Sequence, residues 1–328
     1  MCRNRRVHVR KFGLAATIAF AVLAVFGVSL ALLVFDPRVN GADALRTGGF
    51  AGGSVVALYA LWLNDRRRRV EENRQLQEGR QVRLDQERVS DERFARAVEL
   101  LGHEADQVRV GALHSLAGLA RSNPGLTQTV LDVLCSYLRR PFLHPRYDDG
   151  EWQRDEQHEA ERKLQVRRTA QRLIATLLPQ ATDTAAPAYD LDLTNAKLEY
   201  LDLSGRRIGT LTARHARIFR DINLSRCEIT GPVWFTRVVF ADDGKFRCKD
   251  TVFHDRAQFS GVEFGGPAAF DRSEFRGRAR FDQAKLHSGV TFDGARFAGP
   301  LESDGATVAD ADLDSLLAST TRACAETE

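Results

Sequence analysis

The large apolar residues Phe259, Phe264, Phe270, Phe275, Phe281, Leu286, Phe292 and Phe297 follow one another at alternating steps of five and six. Two positions before each stands Ala257, Val262, Ala268, Ser273, Ala279, Ala284, Val290 or Ala295, all small or of modest size. A helix repeats its face every ~3.6 residues and a half-buried strand every two, so neither accounts for this period. A fixed small-x-large rhythm requires equivalent corners stacked one upon another. Upstream the step is five, at Leu193, Leu198, Leu203 and Ile208, where Ala196-Lys197-Leu198 is the same triplet. The rhythm slips between Ile208 and Phe253 and returns at Ala306-x-Val308 and Ala311-x-Leu313.

Over 189–313 this pattern resembles the pentapeptide-repeat family, whose unit is roughly Ala-(Asp/Asn)-Leu-x-x. The resemblance implies a right-handed quadrilateral β-helix with four units to a coil. The large residue and the small one two before it would point inward, the rest outward. At ~4.8 Å per coil, about six coils make a rod on the order of 30 Å long. Residues twenty-two apart then stack, pairing Phe259 with Phe281, Phe264 with Leu286, Phe270 with Phe292 and Phe275 with Phe297. The expected interior is Leu193, Leu198, Leu203 and the eight large residues from Phe259 to Phe297, with Cys227 in a small slot before Ile229. Gly266, Gly277 and Gly289 occupy the six-residue steps, where a bulged corner would use glycine's tolerance of positive φ.

The N-terminus reads differently. Phe12 to Phe35 carries no charge, and as a helix spans about 36 Å, enough for a bilayer core of ~30 Å. Gly48 to Leu63 is a shorter apolar run, about 24 Å as a helix. Arg3, Arg5, Arg6, Arg10 and Lys11 precede the first run, and Arg66 to Arg69 follow the second. The expectation is a membrane hairpin over 1–65, with transmembrane helices at 12–35 and 48–63 in contact with lipid. Both termini would be cytoplasmic, making a multi-pass plasma-membrane protein.

Between hairpin and repeat, 66–180 reads as a polar helical stalk followed by a short helical unit. Ser90 is a candidate N-cap and Gly102 a stop. The run Val108-Arg109-Val110-Gly111-Ala112-Leu113-His114-Ser115-Leu116 resembles one HEAT or armadillo unit. A break is expected at Asn123-Pro124, a further helix from Thr127, and a long one from Glu151 to Leu178. Residues 181–188 read as a linker and 314–328 as a tail.

The expected fold class is therefore two transmembrane helices, an α-helical middle and a β-solenoid. A net charge of +3 drives no strong association with nucleic acid, which is not an expected partner. Five scattered cysteines form neither a disulfide framework nor a zinc site. There is no GxSxG, P-loop, HExxH or GxGxxG, and His103, His114, His158, His215, His254 and His287 stand isolated. No catalytic residue, cofactor or metal is expected. The reading is a non-enzymatic membrane-anchored scaffold presenting its rod to a cytosolic protein. Arg276, Arg278 and Arg280 form a candidate interaction stripe. One alternative, implied by the family resemblance, is a DNA mimic that binds a topoisomerase. The other is a two-span sensor or channel-like homo-oligomer, its hairpins associating through small-residue faces.

Overall fold

The computed structural model describes residues 19–23, 25–27, 30–31, 53, 57, 59–62, 64–65, 81, 85–86, 88–148, 150–286, 289–308 and 311–312. The chain divides into two units, Met1–Arg88 and Val89–Glu328. In the first, the described residues are helical, and Tyr59 stacks on Trp62 with ring centroids 5.8 Å apart. The two transmembrane helices are not upheld. Among the described residues no helix is long and apolar enough to cross a membrane. Apolar composition favours transfer into lipid, but a span also needs about twenty residues of continuous helix. Most of 12–35 and 48–63, the stalk over 66–80 and the tail lie outside the described residues.

The second unit opens with four helices: α1 (89–101), α2 (Asp106–Ser122), α3 (Thr127–Arg139) and α4 (Arg154–Leu177). Ser90 does not cap α1; it already belongs to the helix. Helix α2 buries Ala112, Leu113, Leu116, Ala117 and Ala120 at three- and four-residue spacing, which makes one apolar stripe. Asn123 and Pro124 end it, because proline supplies no N–H to continue the ladder. Helix α4 starts at a capping box in which Gln153 and Glu156 satisfy each other's backbone N–H groups. Its second half buries Leu164, Ala170, Leu173 and Ile174 against α2 and α3.

From Tyr189 the chain winds into a solenoid of five full coils and part of a sixth. Each full coil has four short faces, numbered 1 to 4 along the chain. On face 1, Leu191 pairs with Leu211, then Val233, Ala257, Ala279 and Leu301, so successive coils take 20, 22, 24, 22 and 22 residues. Pairing between coils is parallel. At the far end the expected further repeat, Ala311-x-Leu313, is not a coil step. Ala311–Asp312 turns back antiparallel on Thr307–Val308.

The slip between Ile208 and Phe253 leaves the coil closed. Phe246 pairs with Ile222 and Ala268, so it occupies the first slot of face 3, which holds Ala268 in the following coil and Leu201 and Ile222 in the first two. Cys248, two residues on, takes the large slot, and the extra length is spent in the turn 241–245. The order is inverted, yet the pair still fills one layer.

Rings fill the interior. Phe259 stacks on Phe281 at 5.0 Å, Phe270 on Phe292 at 4.8 Å and Phe275 on Phe297 at 4.7 Å. Neighbouring columns meet edge-on, as Phe270 does with Phe259 and Phe281 at 5.5 and 5.7 Å. Each such pair is worth about 0.5–1.5 kcal/mol beyond its buried area. The small slots of face 4 hold Cys227, Thr251 and Ser273, which donate to the carbonyls of Leu203, Leu224 and Cys248 in the preceding coil. Buried polar atoms are thereby satisfied inside an apolar stack.

Two kinds of corner alternate. After faces 1 and 3 the corner has two residues, and the second always has positive φ: Asn195 (58°), Gly205 (66°), His215 (56°), Arg226 (60°), Arg237 (53°), Asp250 (55°), Gly261 (64°), Arg272 (55°), Gln283 (56°), Gly294 (67°) and Gly305 (69°). This is the φ a type II turn demands, and most are closed by the matching hydrogen bond, as from Ala284 N–H to the Phe281 carbonyl (2.9 Å). After faces 2 and 4 the corner is longer from the second coil onward, whereas the first coil has two residues there as well. At the longer corners Gly266 and Gly277 do not have positive φ, contrary to the expectation from sequence. They are glycine because coils approach closely: a Cβ on Gly277 would lie 2.4 Å from the Asp255 carbonyl carbon, and one on Gly266 2.4 Å from the Gly244 oxygen. Gly289 is milder, with Pro267 Cβ at 3.1 Å.

Candidate interaction surface

The helices stand where a preceding coil would be. The Gln128 side-chain amide donates to the Asp190 carbonyl (2.9 Å) and accepts from the Asp190 N–H (2.8 Å), acting as a strand neighbour. Gln171 Oε1 accepts from the Glu199 N–H (3.3 Å). Arg167, nearly buried, donates to the carbonyls of Tyr137, Leu138 and Arg140 at the end of α3 and to that of Lys197 in the first coil (3.1 Å). Its guanidinium lies 4.8 Å over the Phe142 ring, and burial pushes its pKa down to about 10, which leaves it charged at neutral pH. Helices and solenoid share one apolar core, and these hydrogen bonds occupy edge groups of the first coil that would otherwise face outward. The segment read as a linker is stitched down as well: Ala181 donates to Gly205, and Arg207 to Pro179.

Glu199 is buried at the same junction, and burial raises its pKa; Arg168 and Arg146 supply the opposing charge. His144, also buried, lies against Phe142 and Tyr147, and burial lowers its pKa. These groups anchor the 140–153 loop, whose Tyr147 ring stacks on Phe219 of the second coil at 3.7 Å. Cys135, Cys227 and Cys248 are buried and unbridged, with thiols pushed up to about 12 by burial, unfit for nucleophilic work at neutral pH. Among the described residues no group of His, Cys, Asp and Glu could hold a metal ion.

Leu193, Leu198, Leu203, Phe259, Phe264, Phe270, Phe275, Phe281, Leu286 and Phe292 all lie inside, with Phe297 half-buried toward the far end. Outward residues stack coil on coil, and charges one coil apart pair: Arg272 with Asp250 (2.6 Å), Lys285 with Glu263 (2.7 Å), Arg280 with Glu302 (2.7 Å) and Lys249 with Asp271 (2.8 Å). The stripe of Arg276, Arg278 and Arg280 is not one patch. The corner at Gly277 turns the chain, leaving Arg276 beside Glu274 and His254 on face 4. Arg278 and Arg280 lie on face 1, both against Glu302, and Arg280 also against Asp282.

Sequence reading missed a second arrangement on face 1. Arg214 and Arg256 lie over the Trp234 ring, 4.6 and 5.5 Å from its centroid. Beside them Asp255, Arg256, Ala257, Gln258, Arg278 and Arg280 line a shallow cavity of about 350 Å³. In register Trp234 pairs with Gln258, twenty-four residues on, and Arg256 stands two residues before that partner, so the repeat spacing did not announce the contact.

No curated protein and no solved structure matches the chain. A family model described as pentapeptide repeats, in nine copies, matches residues 249–296 and 259–307. Members of that family are generally non-enzymatic structural or interaction proteins. With the small-x-large interior, the four-faced coil and this match together, residues 249–307 are pentapeptide repeats.

Proposed function

We propose that the repeat segment is a non-enzymatic scaffold for protein–protein interaction. The observation that carries this is the filled interior. Stacked rings fill the coil interior, so among the described residues the solenoid's accessible chemistry lies in the rows of side chains on its faces. Those rows are held rigidly by inter-coil hydrogen bonds, and a rigid surface loses little entropy on binding. Repeat rods of this kind present extended surfaces suited to macromolecular partners. A DNA mimic needs a continuous acidic face. Here carboxylates alternate with arginines along the rows, which favours a protein partner of mixed charge.

The test is capture by the full chain from a cell extract, with a Phe264→Asp, Leu286→Asp double variant as the control whose interior is disrupted. The full chain is the right bait, because α3 and α4 supply the edge partners of the first coil. A protein recovered with the intact chain and lost with the disrupted one supports the scaffold. Recovery of the same proteins by both refutes a role for the folded faces.

A further inference from the structure

Ion pairs between coils answer Arg207, Arg220, Arg247, Arg272, Arg278 and Arg280, whereas along one edge four arginines have no partner in a neighbouring coil. Arg214, Arg217 and Arg237 make no ion pair with a described residue, and Arg256 reaches only Asp255, at 3.9 Å. All four are exposed and lie on coils two to four, at face 1 or the adjoining corner and start of face 2. Trp234 lies among them. Arg214 reaches its ring from the coil below, and Arg256 from the turn leading to the coil above. A guanidinium laid on an indole is held in plane while its N–H fork stays free at the rim.

We infer that this edge, built from Arg214, Arg217, Trp234, Arg237 and Arg256, docks an acidic peptide segment of a partner protein. The inference rests on the scaffold reading and names the chemistry of its partner. Charge complementarity is the first argument: four arginines lacking close acceptors, two of them already oriented, suit carboxylates, which accept both prongs of the fork. The second is that strand N–H and C=O groups here are consumed between coils, as Val233 N–H is by Arg256 and Phe235 N–H by Gln258. A peptide therefore cannot join as an added strand, and recognition falls to side chains. The third argument separates peptide from nucleic acid. Asp255, Asp282 and Glu302 share face 1 with these arginines and would oppose an unbroken run of phosphates. The one indole is covered by guanidinium groups and offers no platform for a base. Discrete carboxylates on a peptide can meet the arginines and bypass the acids.

The test uses the full chain and fluorescence anisotropy with a short fluorescein-labelled peptide of alternating Glu and Gly. A single-stranded oligonucleotide of equal charge is the competing probe. The variants are Arg214→Gln with Arg256→Gln and, as control, Arg226→Gln with Arg296→Gln, two arginines also without an ion pair but on other faces. Circular dichroism checks that each variant is folded. The expected result is peptide binding that weakens with salt, falls roughly tenfold or more in the first variant and holds within about twofold in the control. Equal loss in both variants, tighter binding of the oligonucleotide, or no peptide binding by the unmodified chain overturns the inference. Extract capture distinguishes this from failure of the scaffold reading. Partners retained by the folded Arg214→Gln, Arg256→Gln variant would leave the scaffold standing and refute this edge as its docking site.

Discussion

Replacing Gly277 by alanine tests why glycine stands at the long corners. The new Cβ would meet the Asp255 carbonyl carbon at 2.4 Å, its oxygen at 2.6 Å and the Arg256 nitrogen at 2.8 Å, all backbone atoms with no free end to swing aside. The coils would have to part locally. Overpacking of this kind costs about 1–3 kcal/mol. Parting also loosens the hydrogen bonds from Arg276 N–H to the Phe253 carbonyl (2.9 Å) and from Ala257 N–H to the Arg278 carbonyl (2.8 Å), worth about 1 kcal/mol each. A loss near 3 kcal/mol follows, or a melting temperature lower by roughly 6–12 °C for a unit of this size. Gly294 is the comparison. It has φ of +67° and only ordinary contact with the Arg272 stem, so Gly294→Ala should cost about 1 kcal/mol of left-handed strain. Asparagine separates the causes further: it tolerates left-handed φ and should be mild at 294, but harsh at 277. Thermal melting followed by circular dichroism reads all four variants. A Gly277→Ala protein melting within about 2 °C of the parent, or one more stable than Gly294→Ala, would refute the close-approach account.

Three further outcomes are expected. Arg167→Met removes the donor shared by the end of α3 and the first coil, and should lower stability by about 3 kcal/mol in a denaturant titration, because its carbonyl partners lose a charged donor. His144 has its pKa lowered by burial from an ordinary 6.5, so below that pH the unfolded chain binds a proton that the folded one does not. Stability from this group is present above about pH 6.5 and lost as pH falls through the window beneath it. His144→Gln should flatten that slope. Glu199, whose pKa burial raises, acts with the opposite sign, so the readout is the difference between the parent and His144→Gln rather than the slope of either alone. Iodoacetamide at neutral pH should leave Cys135, Cys227 and Cys248 unlabelled in the native chain and label all three in denaturant, as peptide mass spectrometry would show.

The solenoid is legible in sequence because every coil presents the same environment at the same step, so Phe259, Phe281 and their neighbours repeat one local solution. Legibility fails where two solutions fill one slot. Phe246 and Cys248 occupy their layer in reversed order, and a search for small before large passes over them. Glycine misled for a related reason. Positive φ and close backbone approach both select it, and sequence does not separate Gly277 from Gly294. The contacts of Gln128 with Asp190 and of Arg167 with Lys197 join distant residues of unlike elements, and no period announces them. The contact of Trp234 with Arg256 is off register too: across the 24-residue third coil Trp234 pairs with Gln258, and Arg256 reaches it from the turn before. The membrane hairpin was read from run length, hydropathy and flanking arginines, whereas among the described residues no helix is long and apolar enough to cross a membrane.

The coil lengths carry an evolutionary consequence. An additional residue within a face would swap inward and outward side chains along the rest of that strand, whereas the third coil absorbs two at its 241–245 turn with the ring columns still in phase. Growth by duplication should therefore proceed in whole turns. Copying 257–278 in tandem would lengthen the rod by about 4.8 Å and extend all four faces in step. A lineage could thus change the reach of the molecule without redesigning its interior, while each corner remains a tolerated place for short insertions to diversify.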